Sequence, residues 1–280
     1  MKVSRHLYVV TGASSGLGLA TAELLHANGA DLALLDLNAD AGERLAQRLG
    51  SRTRFYECDV GDEESVDAAF AKVRAWVAES GTTWGGCVHA GGVGMAGKTI
   101  DRDLEPFSLA TFKEVHRINL DGSFLIASRV AAEIAKQRAA LLQDGAKTTD
   151  WSKPDSVRDD DEGDRGVIIL TSSVSATEGQ MGQLAYASSK AAVEGLVLPM
   201  ARDLARYGIR VVCIAPSLFS TNMGKNTSDK TRNSLLATTL FPPRFGVPRE
   251  FAHLAKAVIE NGYLNGTVLR IDGGGRMAKM

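Results

Sequence analysis

The chain has 280 residues, of which 44% are hydrophobic, and its formal net charge at pH 7 is −1. This length and composition suit one large α/β domain over residues 1–280, and the near-neutral charge argues against nucleic acid or an anionic membrane as a partner. No segment has the length of a membrane span, and a strand is predicted so close to Met1 that no room is left for a signal peptide.

The cysteines indicate a reducing compartment. Cys58, Cys87 and Cys213 lie at or near predicted buried strands, and they show no C-x-x-C spacing. We interpret them as small apolar core residues and expect a cytoplasmic protein.

The first predicted element is the apolar strand Leu7–Val10, which leads into a glycine-rich turn and a helix. The turn, Thr11–Gly18, has the spacing G-x-x-x-G-x-G. Glycines let the backbone approach a pyrophosphate, whose charge meets the amide groups at the helix N-terminus. The alternative is a turn that only packs a strand tightly against a helix.

The second strand, Asp31–Leu35, ends at Asp36, eighteen residues after Gly18. A carboxylate here can accept both hydroxyls of an adenosine ribose and would repel the 2′-phosphate of NADP. Positions 37–41 hold no arginine or lysine, and Ser15 rather than a basic residue stands in the glycine-rich turn. These observations favour NAD, although Asp36 could also be a capping or turn residue.

Strands and helices continue to alternate through the middle of the chain. The predicted elements are a third strand (Arg54–Cys58), a helix (Glu63–Val77), a fourth strand (Gly86–Ala90) and one long helix from Thr111 to about Leu142. A polar insertion with an acidic cluster at Asp159–Glu162 then occupies residues 143–165. It has too few apolar residues to order itself and predicts a mobile surface excursion; a substrate-facing or interface flap is the alternative.

The apolar run Val167–Leu170 predicts a buried fifth strand, with Ser173 just beyond its end. Tyr186 and Lys190 follow on a predicted helix, and their four-residue spacing places both side chains on one face. Free tyrosine, with a pKa of roughly 10, is a weak acid-base catalyst at pH 7, and a neighbouring cation would lower that pKa. The three side chains together predict proton transfer to or from a substrate oxygen.

The last predicted elements are a sixth strand (Arg210–Ala215), a helix (Glu250–Ile259) and a seventh strand (Thr267–Ile271). The irregular segment 219–245 is the predicted substrate lid. The alternation as a whole predicts a doubly wound α/β fold, in which a seven-stranded parallel sheet has helices on both faces and ligands at the carboxyl ends of the strands.

With these motifs the chain resembles the classical short-chain dehydrogenase/reductase family over nearly its whole length. Tyr186 and Lys190 match its Tyr-x-x-x-Lys, Ser173 its catalytic serine, and Asn119 the asparagine of its proton relay. The resemblance implies a Rossmann-like fold, a small-molecule substrate and a homotetramer, with no metal. It also implies substrate contacts from Ser173, Gln180, Gln183 and Tyr186.

The resemblance further implies a set of cofactor-binding residues on the loops that follow the strands. They are Gly12, Ser14, Ser15, Gly16, Leu17, Gly18, Asp36, Leu37, Asp59, Val60, Ala90, Gly91, Tyr186, Lys190, Pro216, Leu218, Phe219 and Thr221. Two positions depart from the family pattern. His89 stands where an asparagine usually braces the sheet, and we interpret it as structural because no carboxylate or cysteine lies beside it. Ser217 replaces the glycine that usually follows Pro216.

Three further segments, Glu178–Gln183, Ala201–Ala205 and Asn261–Met277, resemble a subgroup that oxidises secondary alcohols of short 3-hydroxyacyl-CoA thioesters and some steroids with NAD. The expected function is therefore NAD-dependent interconversion of a secondary alcohol and a ketone, with an acyl-CoA thioester as substrate. An apolar hydroxysteroid, terpene or aryl carbinol is the alternative, because the predicted lid carries Leu240 and Phe241. A non-enzymatic, oligomeric cofactor-binding scaffold is a third possibility, since fold alone does not prove activity.

Overall fold

Seven parallel strands form one sheet at the centre of the molecule. In this computed structural model, which describes residues 1–143, 163–221 and 236–277, the strand order is β3-β2-β1-β4-β5-β6-β7. The strands are β1 (His6–Thr11), β2 (Asp31–Asp36), β3 (Thr53–Glu57), β4 (Thr83–His89), β5 (Gly166–Thr171), β6 (Ile209–Pro216) and β7 (Thr267–Ile271). All six pairings are parallel, which confirms the predicted fold.

Helices cover both faces of this sheet. They are α1 (Gly16–Ala27), α2 (Ala39–Leu49), α3 (Glu63–Ser80), α4 (Leu109–His116), α5 (Gly122–Gln143), α6 (Leu184–Leu204) and α7 (Pro248–Glu260). One core lies between the sheet and helices α3, α5 and α6, and a second lies between the sheet and helices α1, α2 and α7.

The two cores follow from the alternation of side chains along each strand. In β1, Val9 packs into the core with Phe70 of α3, whereas Val10 faces the core of Leu25 and Phe251, and all five are fully buried. Burial of each such side chain is worth about 1.5–3 kcal/mol. The chain leaves β1 towards one edge of the sheet and β4 towards the other, so a crevice is expected where these strands end.

The prediction of one unbroken helix from Thr111 to about Leu142 is wrong, because two helices occupy this range. The side chain of Ser108 accepts a hydrogen bond from the Thr111 amide (3.3 Å), so α4 begins before the predicted start. A π-helical turn, Arg117–Asp121, then separates α4 from α5. Such turns often occur at functional sites, and this one carries Asn119.

Most of the polar insertion, residues 144–162, lies outside the described residues, as does 222–235 of the predicted lid. Asp164, near the end of the insertion, has a side chain that is 8% exposed and forms an ion pair with Arg210 (2.8 Å). This ion pair ties the end of the insertion to β6, and the mobility of the rest stays a prediction. Across the described ranges, no helix is both long and apolar enough to cross a membrane.

Candidate active site

The glycine-rich turn between β1 and α1 can approach a ligand closely. Gly12 has a φ of +60°, and a Cβ there would lie 2.9 Å from the Ala90 carbonyl oxygen. A Cβ on Gly18 would overlap the Gly12 carbonyl group. Ser15 precedes α1 without a side-chain capping hydrogen bond, and the first turn holds no acidic residue. The amides at this helix N-terminus therefore suit a pyrophosphate.

Asp36 occupies the end of β2, beside the same turn. Its carboxylate accepts hydrogen bonds from the Ser14 amide (2.9 Å) and the Asn38 amide (3.0 Å). These contacts fix the carboxylate and still leave each oxygen a lone pair for a ribose hydroxyl. Leu37 is 64% exposed next to it.

Asp59 and Val60 follow β3, the edge strand next to β2. The Asp59 carboxylate accepts hydrogen bonds from the Gly61 amide (2.9 Å) and the Arg117 guanidinium (3.1 Å), while Val60 is buried. Arg117 also binds Glu114 through two hydrogen bonds. Sequence reasoning missed Arg117, because nothing in its local pattern indicates a partner so distant in the chain.

Ala90 and Gly91 follow β4 directly against the glycine-rich turn. The Gly91 amide donates to the Thr11 hydroxyl oxygen (3.0 Å), and that hydroxyl is also hydrogen-bonded to Nδ1 of His89 (2.8 Å). His89 is buried, and burial together with the charge of Lys190 lowers its pKa to about 3. A neutral, hydrogen-bonded histidine in the sheet agrees with the structural interpretation.

Tyr186, Lys190 and Ser173 meet at the ends of β5 and α6. The Lys190 ammonium donates to the Thr171 carbonyl oxygen (2.9 Å) and lies 5.8 Å from the centroid of the Tyr186 ring. Ser173 is buried and lies close enough to Tyr186 for its side chain to lower the pKa of the phenol. The predicted constellation therefore assembles.

The electrostatics of this group differ from the expectation. Burial raises the pKa of Tyr186, although the residue is partly exposed, and the neighbouring Ser173 side chain opposes that rise. Burial lowers the pKa of Lys190 to about 8. The predicted depression of the Tyr186 pKa by Lys190 is not seen; burial sets the direction of the shift, an effect that the four-residue spacing does not reveal.

Asn119 lies next to Lys190, across a glycine. Its side chain accepts a hydrogen bond from the Val93 amide (2.8 Å) and donates to the Val93 carbonyl oxygen (2.9 Å) and the Ser189 hydroxyl (3.0 Å). A Cβ on Gly92 would lie 3.0 Å from Asn119 Oδ1 and 3.3 Å from Lys190 Nζ. Gly92, which the sequence did not single out, keeps the space between the two side chains open.

The loop after β6 completes the ring of predicted cofactor contacts. Pro216 ends that strand, and the Gly246 amide donates to the Leu218 carbonyl oxygen (2.9 Å), while Phe219 pairs with Gly246. Thr221 reaches the glycine-rich turn, since a Cβ on Gly16 would lie 3.3 Å from its methyl group. The Ser217 amide donates to the Ile271 carbonyl oxygen (3.0 Å), which joins this loop to the end of β7.

A cleft of about 680 Å³ opens beside this group. Gln180 and Gln183 line it, together with residues 97–100, whereas Ser173 and Tyr186 adjoin lining residues in the chain. Gln183 accepts a hydrogen bond from the Gln180 amide (2.9 Å), and the Gly97 amide donates to the Gly182 carbonyl oxygen (2.8 Å). The buried side-chain amide nitrogen of Gln180 has no partner among the described residues, so it can serve a ligand.

Sequence comparisons identify the family. A family model described as "Enoyl-(Acyl carrier protein) reductase" matches residues 12–144, and one described as "short chain dehydrogenase" matches residues 156–232. Bovine 3-hydroxyacyl-CoA dehydrogenase type-2 is 42% identical over 270 residues, which are 96% of this chain and 94% of that protein. The chain belongs to the short-chain dehydrogenase/reductase family.

Other relatives agree with this assignment. Human 3-hydroxyacyl-CoA dehydrogenase type-2 is 41% identical over the same shares of the two chains. The crystal structure of the protein of that name from Mycobacterium avium superimposes with a TM-score of 0.83 at 36% identity, covering 98% of this chain and 97% of that one. Membership of this dehydrogenase family makes the protein an oxidoreductase that acts on CH–OH groups with a nicotinamide cofactor.

Within the described ranges, no group of three or more histidine, cysteine, aspartate or glutamate side chains is arranged to hold a metal ion. Three features of the structure suit a nicotinamide dinucleotide: the open glycine-rich turn, the N-terminus of α1 and the carboxylate of Asp36.

Proposed function

We propose that this protein interconverts a 3-hydroxyacyl-CoA thioester and the corresponding 3-ketoacyl-CoA, with NAD as its cofactor. The observation that carries the proposal is the assembly of Tyr186, Ser173 and Lys190 beside a cleft at the carboxyl edge of the sheet. The names of the bovine and human relatives support the choice of substrate class.

The protein side chains handle the proton, whereas the bound nicotinamide supplies or accepts the hydride. In ketone reduction, the Tyr186 phenol gives its proton to the carbonyl oxygen as that oxygen becomes negative, and Ser173 donates a hydrogen bond to the same oxygen. The raised pKa of Tyr186 keeps the phenol protonated at neutral pH, as a general acid requires. Lys190 is the side chain that would return a proton to Tyr186, and Asn119, across Gly92 from it, would hold a water that links Lys190 to solvent.

Asp36 supports NAD over NADP. Its fixed carboxylate would repel a 2′-phosphate, and the following residues, 37–41, contribute no cation. The test compares kcat/KM for NADH and NADPH in the wild type and in Asp36→Asn. We expect the wild type to prefer NADH and the variant to lose much of that preference; a wild type that prefers NADPH would contradict the proposal.

The cleft supports a substrate with a second polar group. A 3-ketoacyl thioester has a carbonyl oxygen two carbons beyond the reacting ketone, and the free amide donor of Gln180 suits that oxygen. A second candidate is a hydroxysteroid, terpene or aryl carbinol dehydrogenase. It is favoured by Leu240 and Phe241, which are 76% and 79% exposed at the described end of the lid.

The substrate test is an NADH-oxidation screen of acetoacetyl-CoA against steroid, terpene and aryl ketones. We expect kcat/KM to be highest for acetoacetyl-CoA; a higher value for an apolar ketone would favour the second candidate. Tyr186→Phe should lower turnover by about 10²-fold or more while NADH binding stays nearly unchanged. Tyr263→Phe is the matched control, because Tyr263 is 98% exposed.

Comparable turnover in Tyr186→Phe and the wild type would refute the role of Tyr186, whereas a wild type that binds NADH but reduces no ketone of the panel would favour the scaffold alternative. The predicted homotetramer, the cytoplasmic location and the single domain over residues 1–280 stay predictions. Light scattering on the purified protein tests the first of them.

A further inference from the structure

An ionic cluster joins the turn after β7 (residues 272–276, the C-terminal turn) to the substrate cleft. Its members are Glu178, Arg270, Asp272 and Arg276. Arg270 lies 3.0 Å from the Glu178 carboxylate and 2.8 Å from that of Asp272. Arg276 lies 3.6 Å from Glu178 and 3.1 Å from Asp272. The cluster thus links two segments that are almost one hundred residues apart in the chain.

Glu178 receives further support from the backbone of the C-terminal segment. The Met277 amide donates to its carboxylate (2.9 Å), and Arg270 also donates to the Thr177 hydroxyl (3.3 Å). Glu178 directly precedes Gly179 and Gln180, both of which line the cleft. Because Glu178 has contacts from three residues, its position sets where the following cleft-lining loop begins.

The same C-terminal turn holds the described end of the lid on its other side. The Gly273 carbonyl oxygen accepts hydrogen bonds from the amides of Leu240 (3.2 Å) and Phe241 (3.1 Å). The Arg276 amide donates to the Thr238 carbonyl oxygen (3.3 Å). The turn therefore bridges two segments, residues 238–241 and residues 178–183, on either side of it.

We propose that Glu178 and Arg270 are positioning residues that hold the loop 179–183, and with it Gln180 and Gln183, against the substrate. The proposal rests on the proposed function in so far as these glutamines contact the substrate. Among the described residues, neither Glu178 nor Arg270 forms a hydrogen bond or an ion pair with a member of the catalytic group. Their loss should therefore affect substrate binding more than the chemical step.

Charge and exposure favour positioning over global stability as the role of the cluster. The side chains of Glu178 and Arg270 are 22% and 29% exposed, and ion pairs near the surface add little to the free energy of folding. A small displacement of a substrate-contacting group, in contrast, can strongly reduce the efficiency of catalysis.

The experiment measures steady-state kinetics for Glu178→Gln, Arg270→Met and the double variant. The ketone is whichever member of the acyl-CoA, steroid and small-ketone panel the wild type reduces best. We expect KM to rise by about tenfold in each single variant, with kcat within about threefold and NADH affinity unchanged. The double variant should resemble the single variants, because the removed contact is shared. Arg270→Lys should recover part of the loss, since it keeps the charge.

Arg129→Met is the matched control. It removes an arginine that pairs with Glu63 and Asp67 on the surface, away from the cleft. We expect its KM to equal that of the wild type.

Hydrogen exchange gives a second readout that does not depend on the substrate. Amides at residues 179–183 should exchange faster in Glu178→Gln than in the wild type, with no change in α6. Unchanged KM with unchanged exchange, or additive effects in the double variant, would overturn the inference. If acetoacetyl-CoA is not reduced but another ketone is, the proposed substrate fails while the positioning role is still decided on that ketone.

Discussion

Lys190 combines a functional charge with a buried position. It is 5% exposed, and the ammonium is hydrogen-bonded to the Thr171 carbonyl oxygen. Burial of a cation costs free energy, which is why the pKa of Lys190 falls from 10.5 to about 8. A residue that destabilises the fold in this way is typical of a site where activity, rather than stability, determines which amino acid is present.

Lys190→Met should therefore stabilise the fold and abolish activity. The pKa shift corresponds to about 3 kcal/mol, and the loss of the donor to Thr171 costs about 1 kcal/mol, which leaves a gain of about 2 kcal/mol at pH 7. Urea unfolding of both proteins measures the difference. Lys256→Met, which removes an exposed ion pair with Glu260, is the control and should change stability little.

The gain should also depend on pH in a defined direction. Because the folded pKa of Lys190 lies below the unfolded value, the unfolded chain binds more protons between pH 8 and 10.5. Wild-type stability from this group therefore rises with pH across that window, and the advantage of Lys190→Met should shrink. An advantage that grows with pH would contradict the assignment of a buried, protonated lysine.

At the scale of elements, the β1–α1 turn depends on Gly12 and Gly18, where the backbone leaves no room for a side chain. A Cβ on Gly18 would overlap the Gly12 carbonyl group, which cannot move without shifting the turn. Gly195, in α6, has no atom within 4 Å of its added Cβ. Gly18 is therefore needed for close packing of the backbone, whereas Gly195 only weakens its helix.

Gly18→Ala should destabilise the protein by about 1–3 kcal/mol through overpacking. It should also weaken NADH binding by about tenfold or more, because the amides of this turn are expected to contact the pyrophosphate. Gly195→Ala should instead stabilise the helix by about 1 kcal/mol with NADH affinity unchanged. Thermal unfolding and calorimetric titration measure both quantities. Equal NADH affinity in the two variants would argue against the turn as the binding site.

Sequence reasoning predicted the elements well where a local pattern encodes them. The alternating apolar strands and the Tyr186–Lys190 spacing each have a local signature, and the structure places these residues at the expected ends of strands and face of a helix. The π-helical turn at Arg117–Asp121 has no such signature, because the apolar periodicity continues through it. Contacts such as Arg117 with Asp59 also escaped prediction, since they depend on how distant segments pack.

At the scale of the whole molecule, a buried ionic group closes the edge opposite the active site. Arg210, at the start of β6, pairs with Asp164 and donates to the carbonyl oxygens of Val258, Ile259 and Leu264. The N-terminal ammonium of Met1 also lies 3.3 Å from Asp164. The Asp164 carboxylate thus joins the end of the insertion to the first residue and to β6. Arg210 in turn binds the end of α7.

Asp164→Asn should destabilise the fold by about 3 kcal/mol, because it leaves the buried charge of Arg210 without its anion. The catalytic group lies at the carboxyl ends of the strands, so kcat and NADH affinity should stay close to the wild-type values. Glu23→Gln is the control: it breaks an exposed pair with Arg48 and should cost no more than about 0.5 kcal/mol. Urea unfolding and NADH oxidation distinguish the two outcomes. If Asp164→Asn lost activity without losing stability, the two edges of the sheet would be coupled, and the view of Asp164 as a purely structural anchor would be wrong.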